Sequence, residues 1–146
     1  MFYDDAEKWS REEIEKAQAA RLRRTLQQAA QSRFYGGLFR EHGVDPDSVR
    51  SIDDIRRLPF TTKADLRAAY PDGLLAMPHA DMVRMHVSSG TTGAPTVIYH
   101  TKNDLDWWAS LMARCMHMIG IRPTDVFQNM SGYGLFTGGL GIHYGA

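Results

Sequence analysis

The chain has 146 residues, of which 43% are hydrophobic and 23% charged, a composition typical of a soluble globular protein with one core. Lysine plus arginine and aspartate plus glutamate both number 17, so charge gives no reason to expect nucleic acid or an anionic membrane as a partner. The sequence shows no apolar run as long as a membrane span and no signal peptide after Met1, and its single cysteine, Cys115, excludes an internal disulfide framework. We therefore expect a cytoplasmic protein.

Helix-start signals dominate the first half of the chain. Ser10-Arg11-Glu12-Glu13 is a capping box, which predicts a helix from there to about Gln31. The apolar positions of this helix recur at helical spacing and form a thin stripe: Ile14, Ala17, Leu22, Leu26 and Ala29. Gly36-Gly37 is predicted to break the next segment, and Gly43 is predicted to stop a helix.

Three short helical turns are predicted next. They begin at Asp45-Pro46, at Ser51-Ile52-Asp53-Asp54 and at Thr62-Lys63-Ala64-Asp65, where a proline at the first helical position or a capping residue marks the start. Residues 1–75 are therefore predicted to form an N-terminal helical segment. Residues 76–146 are predicted to be the start of a mixed α/β domain, truncated before completion.

Strand patterns appear in the second half of the chain. The alternating run Met82–Val87 and the run Val97–His100 predict two strands, and Asp125–Met130 predicts a third. A helix between the second and third strands begins at the capping residue Thr101, and Arg122-Pro123 is predicted to end it. The order strand, helix, strand predicts an α/β fold.

The helix after Thr101 has an apolar stripe at helical spacing: Leu105, Trp108, Met112, Cys115, Met116 and Ile119. Cys115 is accordingly predicted to be a small buried hydrophobic residue. The six histidines show no metal-ligand spacing with a carboxylate, so each is interpreted as a surface residue or a hydrogen-bonded core residue.

The segment Ser88–Thr96 is rich in groups that bind phosphate. It places two serines, three threonines and two glycines between two predicted strands. Glycine lets consecutive amides turn inward as an anion-binding nest, and hydroxyls add further donors. The candidates for binding phosphate are Ser88, Ser89, Gly90, Thr91, Thr92, Gly93 and Thr96. The alternative is a turn that only joins two strands, but tight hairpin loops use about two to five residues and this segment is longer.

Two common nucleotide-binding motifs do not fit the sequence. No Gly-Lys pair follows Gly90, so the loop is not a Walker A sequence. Gly132–Thr137 misses the third glycine of the dinucleotide fingerprint by one residue, and the glycines that follow predict no helix. Tyr133 and Phe136 stand among these glycines and are interpreted either as core residues or as the walls of a ligand slot.

Three motifs resemble one family of ligases. Ser88–Thr96 is similar to the phosphate loop of the adenylate-forming superfamily, which includes acyl- and aryl-CoA synthetases. Ser131–Gly141 resembles, more narrowly, a segment typical of phenylacetate–CoA ligases, and Leu58–Lys63 also fits that family. The motifs occur in family order and the resemblance covers essentially the whole chain. It implies the N-terminal part of the adenylate-forming fold.

The resemblance also implies a two-step acid–thiol ligation that serves phenylacetate catabolism and uses ATP, Mg²⁺ and CoA. An aryl carboxylate would attack the α-phosphate of ATP, and the CoA thiolate would then displace AMP. Ser89, Thr91, Thr92 and Gly93 of the phosphate loop would bind the β- and γ-phosphates. The acid pocket would be lined by Ser131, Tyr133, Phe136, Gly138 and Gly139. No metal ligands are assigned within the chain, and the catalytic residues are expected beyond Ala146, so the chain is expected to be inactive alone.

Two positions depart from the family pattern, and two other functions stay open. Ala94 stands where related loops commonly carry lysine, a change expected to weaken the hold on phosphate. Ser131 stands near a position where many relatives carry an aromatic residue, a change expected to enlarge the pocket. The alternatives are a nucleotide-binding module without turnover and a scaffold or dimerisation piece built from the N-terminal helices, which leaves a homodimer open.

Overall fold

The computed structural model describes residues 3–88, 96–134 and 137–146. Its contacts divide the chain into two units, with the boundary between Pro78 and His79. The first unit is helical, and the second combines a small sheet with two helices, which agrees with the predicted α/β class. None of the described helices is long and apolar enough to cross a membrane.

Helix α1, Arg11–Ala29, begins at the predicted capping box. The amide of Glu13 donates to Ser10 Oγ at 3.2 Å, and the amide of Ser10 donates to Glu13 Oε2 at 2.7 Å. Leu26 is buried, and the other members of the predicted stripe are half-buried. The prediction of a long helix with a thin apolar face is confirmed.

Helix α2, Arg33–Glu41, runs through Gly36 and Gly37, so the break predicted there is wrong. A Cβ at Gly36 would lie 2.7 Å from the carbonyl oxygen of Ala30, whereas Gly37 has nothing within 4 Å. Gly36 therefore lets the start of α2 approach the end of α1, and it does not end a helix. Gly43 follows α2 with a φ of 63°, as predicted for a helix stop.

Short helices complete the first unit at the predicted starts. They are the 3-10 helices Pro46–Ser48 and Ile52–Arg57 and helix α3, Lys63–Ala68. A further 3-10 helix, Asp5–Lys8, precedes α1. Three buried side chains form the core of this unit: Leu26 of α1, Phe39 of α2 and Val49, which directly follows the 3-10 helix Pro46–Ser48.

Strands β1, Met82–Val87, and β2, Val97–Thr101, form an antiparallel hairpin in the second unit. A 3-10 helix, His79–Asp81, leads into β1. Val87 pairs with Val97 at the end of the hairpin that adjoins the predicted phosphate loop. Both strand predictions are confirmed, and the hairpin fixes where the loop leaves and returns.

Helix α4, Lys102–Met118, begins at Thr101 with the predicted capping box, completed by Asp104. The helix ends before the predicted stop at Arg122-Pro123. Gly120 adopts a φ of 98°, a left-handed conformation that reverses the chain one residue beyond the cap.

The apolar stripe of α4 is at least partly covered at Leu105, Trp108, Met112 and Met116 but exposed at Cys115 and Ile119. Met116 is 8% exposed, and Trp108 and Met112 are half-buried. Cys115 is exposed, so its predicted burial is wrong, and Ile119 is 78% exposed. A two-stranded hairpin and one short helix cover too little area to bury the whole stripe of a 17-residue helix.

The chain after α4 departs from the predicted strand and loop. Residues 121–134 contain neither helix nor strand, so the strand predicted at Asp125–Met130 is wrong. Val126 is 100% exposed and Met130 is 87% exposed, because no neighbouring strand in the described residues pairs with this segment. Helix α5, Thr137–Gly145, forms where the glycines predicted no helix.

Candidate functional site

The base of the predicted phosphate loop is closed by a reciprocal pair of hydrogen bonds. The amide of Ser88 donates to the carbonyl oxygen of Thr96 at 2.9 Å. The amide of Thr96 donates to Ser88 Oγ at 3.0 Å, and Thr96 is 8% exposed. These two residues therefore hold the ends of the loop together. The hydroxyl oxygen of Ser88 is engaged by the amide of Thr96 in this arrangement.

The loop itself falls between these two residues. The predicted phosphate ligands Ser89, Gly90, Thr91, Thr92 and Gly93 lie outside the described residues, as does Ala94. The structure thus gives the position of the loop mouth, at the end of the hairpin.

His86 is a buried histidine that lies directly before the loop, at 2% exposure. Neither of its ring nitrogens has a hydrogen-bond partner among the described residues. Burial lowers the pKa of His86, and the nearby His100 and Arg84 lower it further, so the neutral ring is favoured. The prediction that every histidine is exposed or hydrogen-bonded is wrong here. No pattern within β1 signalled this burial, because the alternating apolar residues Val83 and Met85 lie on the opposite face of the strand and are 58% and 40% exposed.

Three aromatic rings connect the hairpin to α4. The ring centroids of His86 and His100 are 5.0 Å apart, and those of His86 and Trp108 are 5.1 Å apart. His100 and Trp108 complete the cluster at 5.7 Å. Burial lowers the pKa of His100, an effect that the carboxylate of Asp104 opposes. The cluster fastens both strands of the hairpin to the helix beneath them.

Glycines bring α5 against the same helix. A Cβ at Gly141 would lie 2.6 Å from Cε2 of Trp108, and one at Gly145 would lie 2.5 Å from Cβ of Met112. Real Cβ atoms do not approach other atoms this closely, so only glycine fits these positions without movement. The glycines that lower helix propensity thus permit the packing that stabilises α5, which accounts for the helix that the sequence did not predict.

Asn129 organises the segment that leads into α5. Its Nδ2 donates to the carbonyl oxygen of Gly139 at 3.0 Å and to the hydroxyl of Tyr133 at 3.2 Å. Its Oδ1 accepts from the amide of Ser131 at 3.0 Å. The Tyr133 hydroxyl also lies 2.9 Å from Nδ1 of His143. Sequence reasoning missed Asn129, because its partners lie up to ten residues away in a segment without a repeating pattern.

The predicted acid-binding residues are only partly brought together. Ser131 and Tyr133 are exposed and both are bonded to Asn129, whereas Phe136 lies outside the described residues. Gly138 is half-buried and Gly139 is buried. A Cβ at Gly139 would lie 2.6 Å from the carbonyl oxygen of Gly132, so the face of Gly139 is already covered by its own loop. A slot in this region would therefore be lined by the exposed residues Ser131 and Tyr133 and not by Gly139.

Within residues 3–88, 96–134 and 137–146, no group of three or more histidine, cysteine, aspartate or glutamate side chains could hold a metal ion. The described residues therefore assign no metal ligands.

Solved structures of a CoA ligase share this fold. A 2-hydroxyisobutyryl-CoA ligase in complex with 2-HIB-AMP and CoA matches with a TM-score of 0.83 and 32% identity, over 93% of this chain and 30% of that chain. The same ligase in a postadenylation state with 2-HIB-AMP matches with a TM-score of 0.81 and 30% identity, over 92% of this chain and 29% of that chain. The chain has the fold of the N-terminal part of an adenylate-forming ligase.

Sequence comparison identifies the relatives more narrowly. The chain is 46% identical to a phenylacetate-coenzyme A ligase of Thermus thermophilus, over 100% of this chain and 33% of the relative. It is 46% identical to a phenylacetate-coenzyme A ligase of Escherichia coli, over 98% of this chain and 33% of the relative. No protein-family model matches the chain. The chain spans about a third of the length of these curated relatives, and the predicted resemblance to phenylacetate–CoA ligases is confirmed.

Proposed function

We propose that the full-length protein containing these residues activates phenylacetate or a related aryl acid and transfers it to CoA. The observation that carries the proposal is 46% identity to two phenylacetate-coenzyme A ligases over essentially the whole chain. The fold shared with a ligase bound to 2-HIB-AMP and CoA supports the same reaction class. We expect the protein to act in the cytoplasm.

The reaction has two steps. A carboxylate oxygen of the acid attacks the α-phosphorus of ATP, the new oxygen–phosphorus bond gives the acyl-AMP, and pyrophosphate leaves with the electrons of the broken bond. The sulfur of the CoA thiolate then attacks the acyl carbon, and AMP leaves as the thioester forms. Negative charge builds on phosphate oxygens in the first step, and preorganised donors stabilise it.

The loop between Ser88 and Thr96 is the proposed source of those donors. Because these two residues bond each other, they hold the mouth of the loop, and the residues between them bind phosphate. The proposed ligands of the β- and γ-phosphates are Ser89, Gly90, Thr91, Thr92 and Gly93. A closed base fixes where the amides of the loop begin and end, which lowers the entropy lost when ATP binds.

The segment between Asn129 and α5 is the proposed binding surface for the acid. Tyr133 is 55% exposed, so its ring is available to a planar ligand, while its hydroxyl is held by Asn129 and His143. Ser131 lies beside it, and Phe136 and Gly138 complete the proposed lining, whereas Gly139 is covered by the carbonyl oxygen of Gly132. A ring fixed through its hydroxyl offers an apolar face at little entropic cost.

The residues that bind Mg²⁺ and CoA and the catalytic residues are proposed to lie outside the described residues. Mg²⁺ would supply positive charge to the phosphates, and no carboxylate cluster described here fits it. The residues that complete the reaction are proposed to lie in the remaining two thirds of the length found in the relatives. The 146 residues alone are therefore proposed to be inactive.

The test compares the full-length protein with the 146-residue chain. Each is mixed with phenylacetate, ATP, Mg²⁺ and CoA, and pyrophosphate, AMP and the CoA thioester are quantified. We expect all three products from the full-length protein and none from the chain alone, with hexanoate as an aliphatic control. Pyrophosphate release without CoA isolates the first step.

Each outcome separates one hypothesis from the others. Thioester formation by the chain alone contradicts the assignment of catalytic residues elsewhere. Full-length protein that binds ATP but turns over no aryl acid favours the nucleotide-binding module, and preference for hexanoate contradicts the aryl specificity.

A further inference from the structure

Trp108 contacts residues that flank both parts of the proposed site. On one side, its ring lies 5.1 Å from that of His86, which is buried two residues before the mouth of the loop. On the other side, atoms of the indole lie against Gly141 of α5, where an ideal Cβ would be 2.6 Å from Cε2 and Cζ2 and 2.9 Å from Nε1. One rigid side chain thus spans from the hairpin to the helix that follows the acid-binding segment.

We infer that Trp108 is a positioning residue that sets the distance between the phosphate loop and the acid-binding segment, an inference that rests on the proposed function. The carboxylate of the acid must lie about 3–3.5 Å from the α-phosphorus and in line with the leaving group. The loop fixes the phosphates and the segment before α5 fixes the acid. The distance between the hairpin that carries the loop and helix α5 therefore decides whether the reacting atoms meet.

The physical reason is that this contact cannot adapt by small side-chain motions. The indole has two rotatable bonds and is held between His86 and His100 on one side and the backbone of α5 on the other. A side chain added at Gly141 must move either the indole, and with it the ring of His86, or α5 itself. Either movement changes the distance between hairpin and helix.

The test is a rescue experiment on the full-length protein. Gly141→Ala is expected to lower kcat/KM for phenylacetate by roughly tenfold or more, because a displacement of about 1 Å at a positioned group costs up to about 100-fold. The double variant Trp108→Phe/Gly141→Ala is expected to recover most of that loss, because phenylalanine removes the second ring of the indole and makes room for the added methyl.

Gly145→Ala is the matched control. It also forces α5 away from α4, but the atoms nearest to its Cβ belong to Met112 and Ala113, with Cβ of Met112 at 2.5 Å, and not to the indole. Trp108→Phe is therefore expected to leave the defect of Gly145→Ala unrescued. Thermal unfolding of every variant is measured first, and the kinetics are compared at a temperature where all are folded.

The outcomes distinguish this inference from the proposed function. If Gly141→Ala lowers the unfolding temperature but leaves kcat and KM unchanged, Trp108 is only a packing residue and the inference is overturned. Should Gly141→Ala fail to fold, Trp108→Phe alone decides, and kinetic constants within about twofold of wild type overturn it. A wild-type protein without ligase activity overturns the proposed function and this inference together, whereas an active wild type without rescue overturns the inference alone.

Discussion

His86 offers the sharpest test of the energetics, through the substitution His86→Leu. The imidazole is 2% exposed and neither nitrogen has a partner among the described residues. A buried polar group without a partner costs about 1–3 kcal/mol, and leucine removes that cost with a side chain of similar size. Loss of the ring contact with Trp108 lowers stability and offsets about 0.5–1.5 kcal/mol of that gain. The free energy of unfolding is expected to rise by about 1 kcal/mol, or about 3 °C in Tm.

The same substitution changes the pH dependence of stability. The pKa of His86 is lowered from 6.5 in the folded chain, so the unfolded chain binds more protons below about pH 6.5. Stability of the wild type is therefore fully present above that pH and is lost as the pH falls from 6.5 through the lowered pKa of the folded state. His100 contributes in the same direction, because its pKa is also lowered. His86→Leu is expected to lose less stability over this window than the wild type.

Urea unfolding of the 146-residue chain, followed by circular dichroism from about pH 8 to about pH 5, measures both effects. His42→Leu is the matched control, since it removes an exposed histidine by the same chemical change. Its free energy of unfolding is expected to change little, because the side chain is exposed. Equal pH slopes for the wild type and His86→Leu, or a wild type that gains stability at acid pH, would refute the reasoning.

Three further predictions concern the loop mouth, the first unit and its acid sensitivity. Ser88→Ala leaves the buried amide of Thr96 without its acceptor, so the free energy of unfolding in urea is expected to fall by about 1 kcal/mol. In the full-length protein, the same substitution is expected to raise KM for ATP more than KM for phenylacetate. An unchanged KM for ATP contradicts the role of this pair. Gly36→Ala is expected to destabilise by about 1–3 kcal/mol through overpacking, whereas Gly37→Ala, which has open space, is expected to stabilise α2 by about 0.5–1 kcal/mol, and equal effects on thermal unfolding contradict this account. The pKa of Asp54 is lowered from 3.8 to about 2, chiefly by the hydrogen bond from the amide of Arg50. Its contribution to folding stability is therefore present above pH 3.8 and is lost as the pH falls to about 2. Acid unfolding of Asp54→Asn is expected to lack that loss, and an acid unfolding curve identical to that of the wild type contradicts the assignment.

Helix starts were predictable because their causes are local. Ser10, Thr62 and Thr101 each cap a helix and meet an acidic residue three positions later, an arrangement complete within four residues of sequence. The hairpin was predictable for a similar reason, because alternation along Met82–Val87 indicates a strand, although the covered face is that of His86 and not that of Val83 and Met85. The mouth of the predicted phosphate loop followed from the strands β1 and β2.

The failures share a different cause, since each depended on a neighbour distant in sequence. Gly36 and Gly141 were predicted to oppose helix, but they allow close contact with Ala30 and Trp108. The burial of His86 without a partner likewise depends on α4, which no pattern within β1 can reveal. Asn129 was missed because its role arises from the fold of the glycine-rich segment around it. Residues that bring separate elements together are therefore the part of the site that the sequence leaves open.

The glycine content of α5 has a consequence for local opening. Four of its nine residues are glycine, each costing about 1 kcal/mol relative to alanine inside a helix, so α5 has little tendency to stay helical away from α4. Its amide protons are expected to exchange with deuterium through partial unfolding, faster than those of α4, while the hairpin stays closed. Mass spectrometry of peptides from the exchanged chain would locate this opening. The border of the proposed acid site would then be the portion of the second unit that opens most readily.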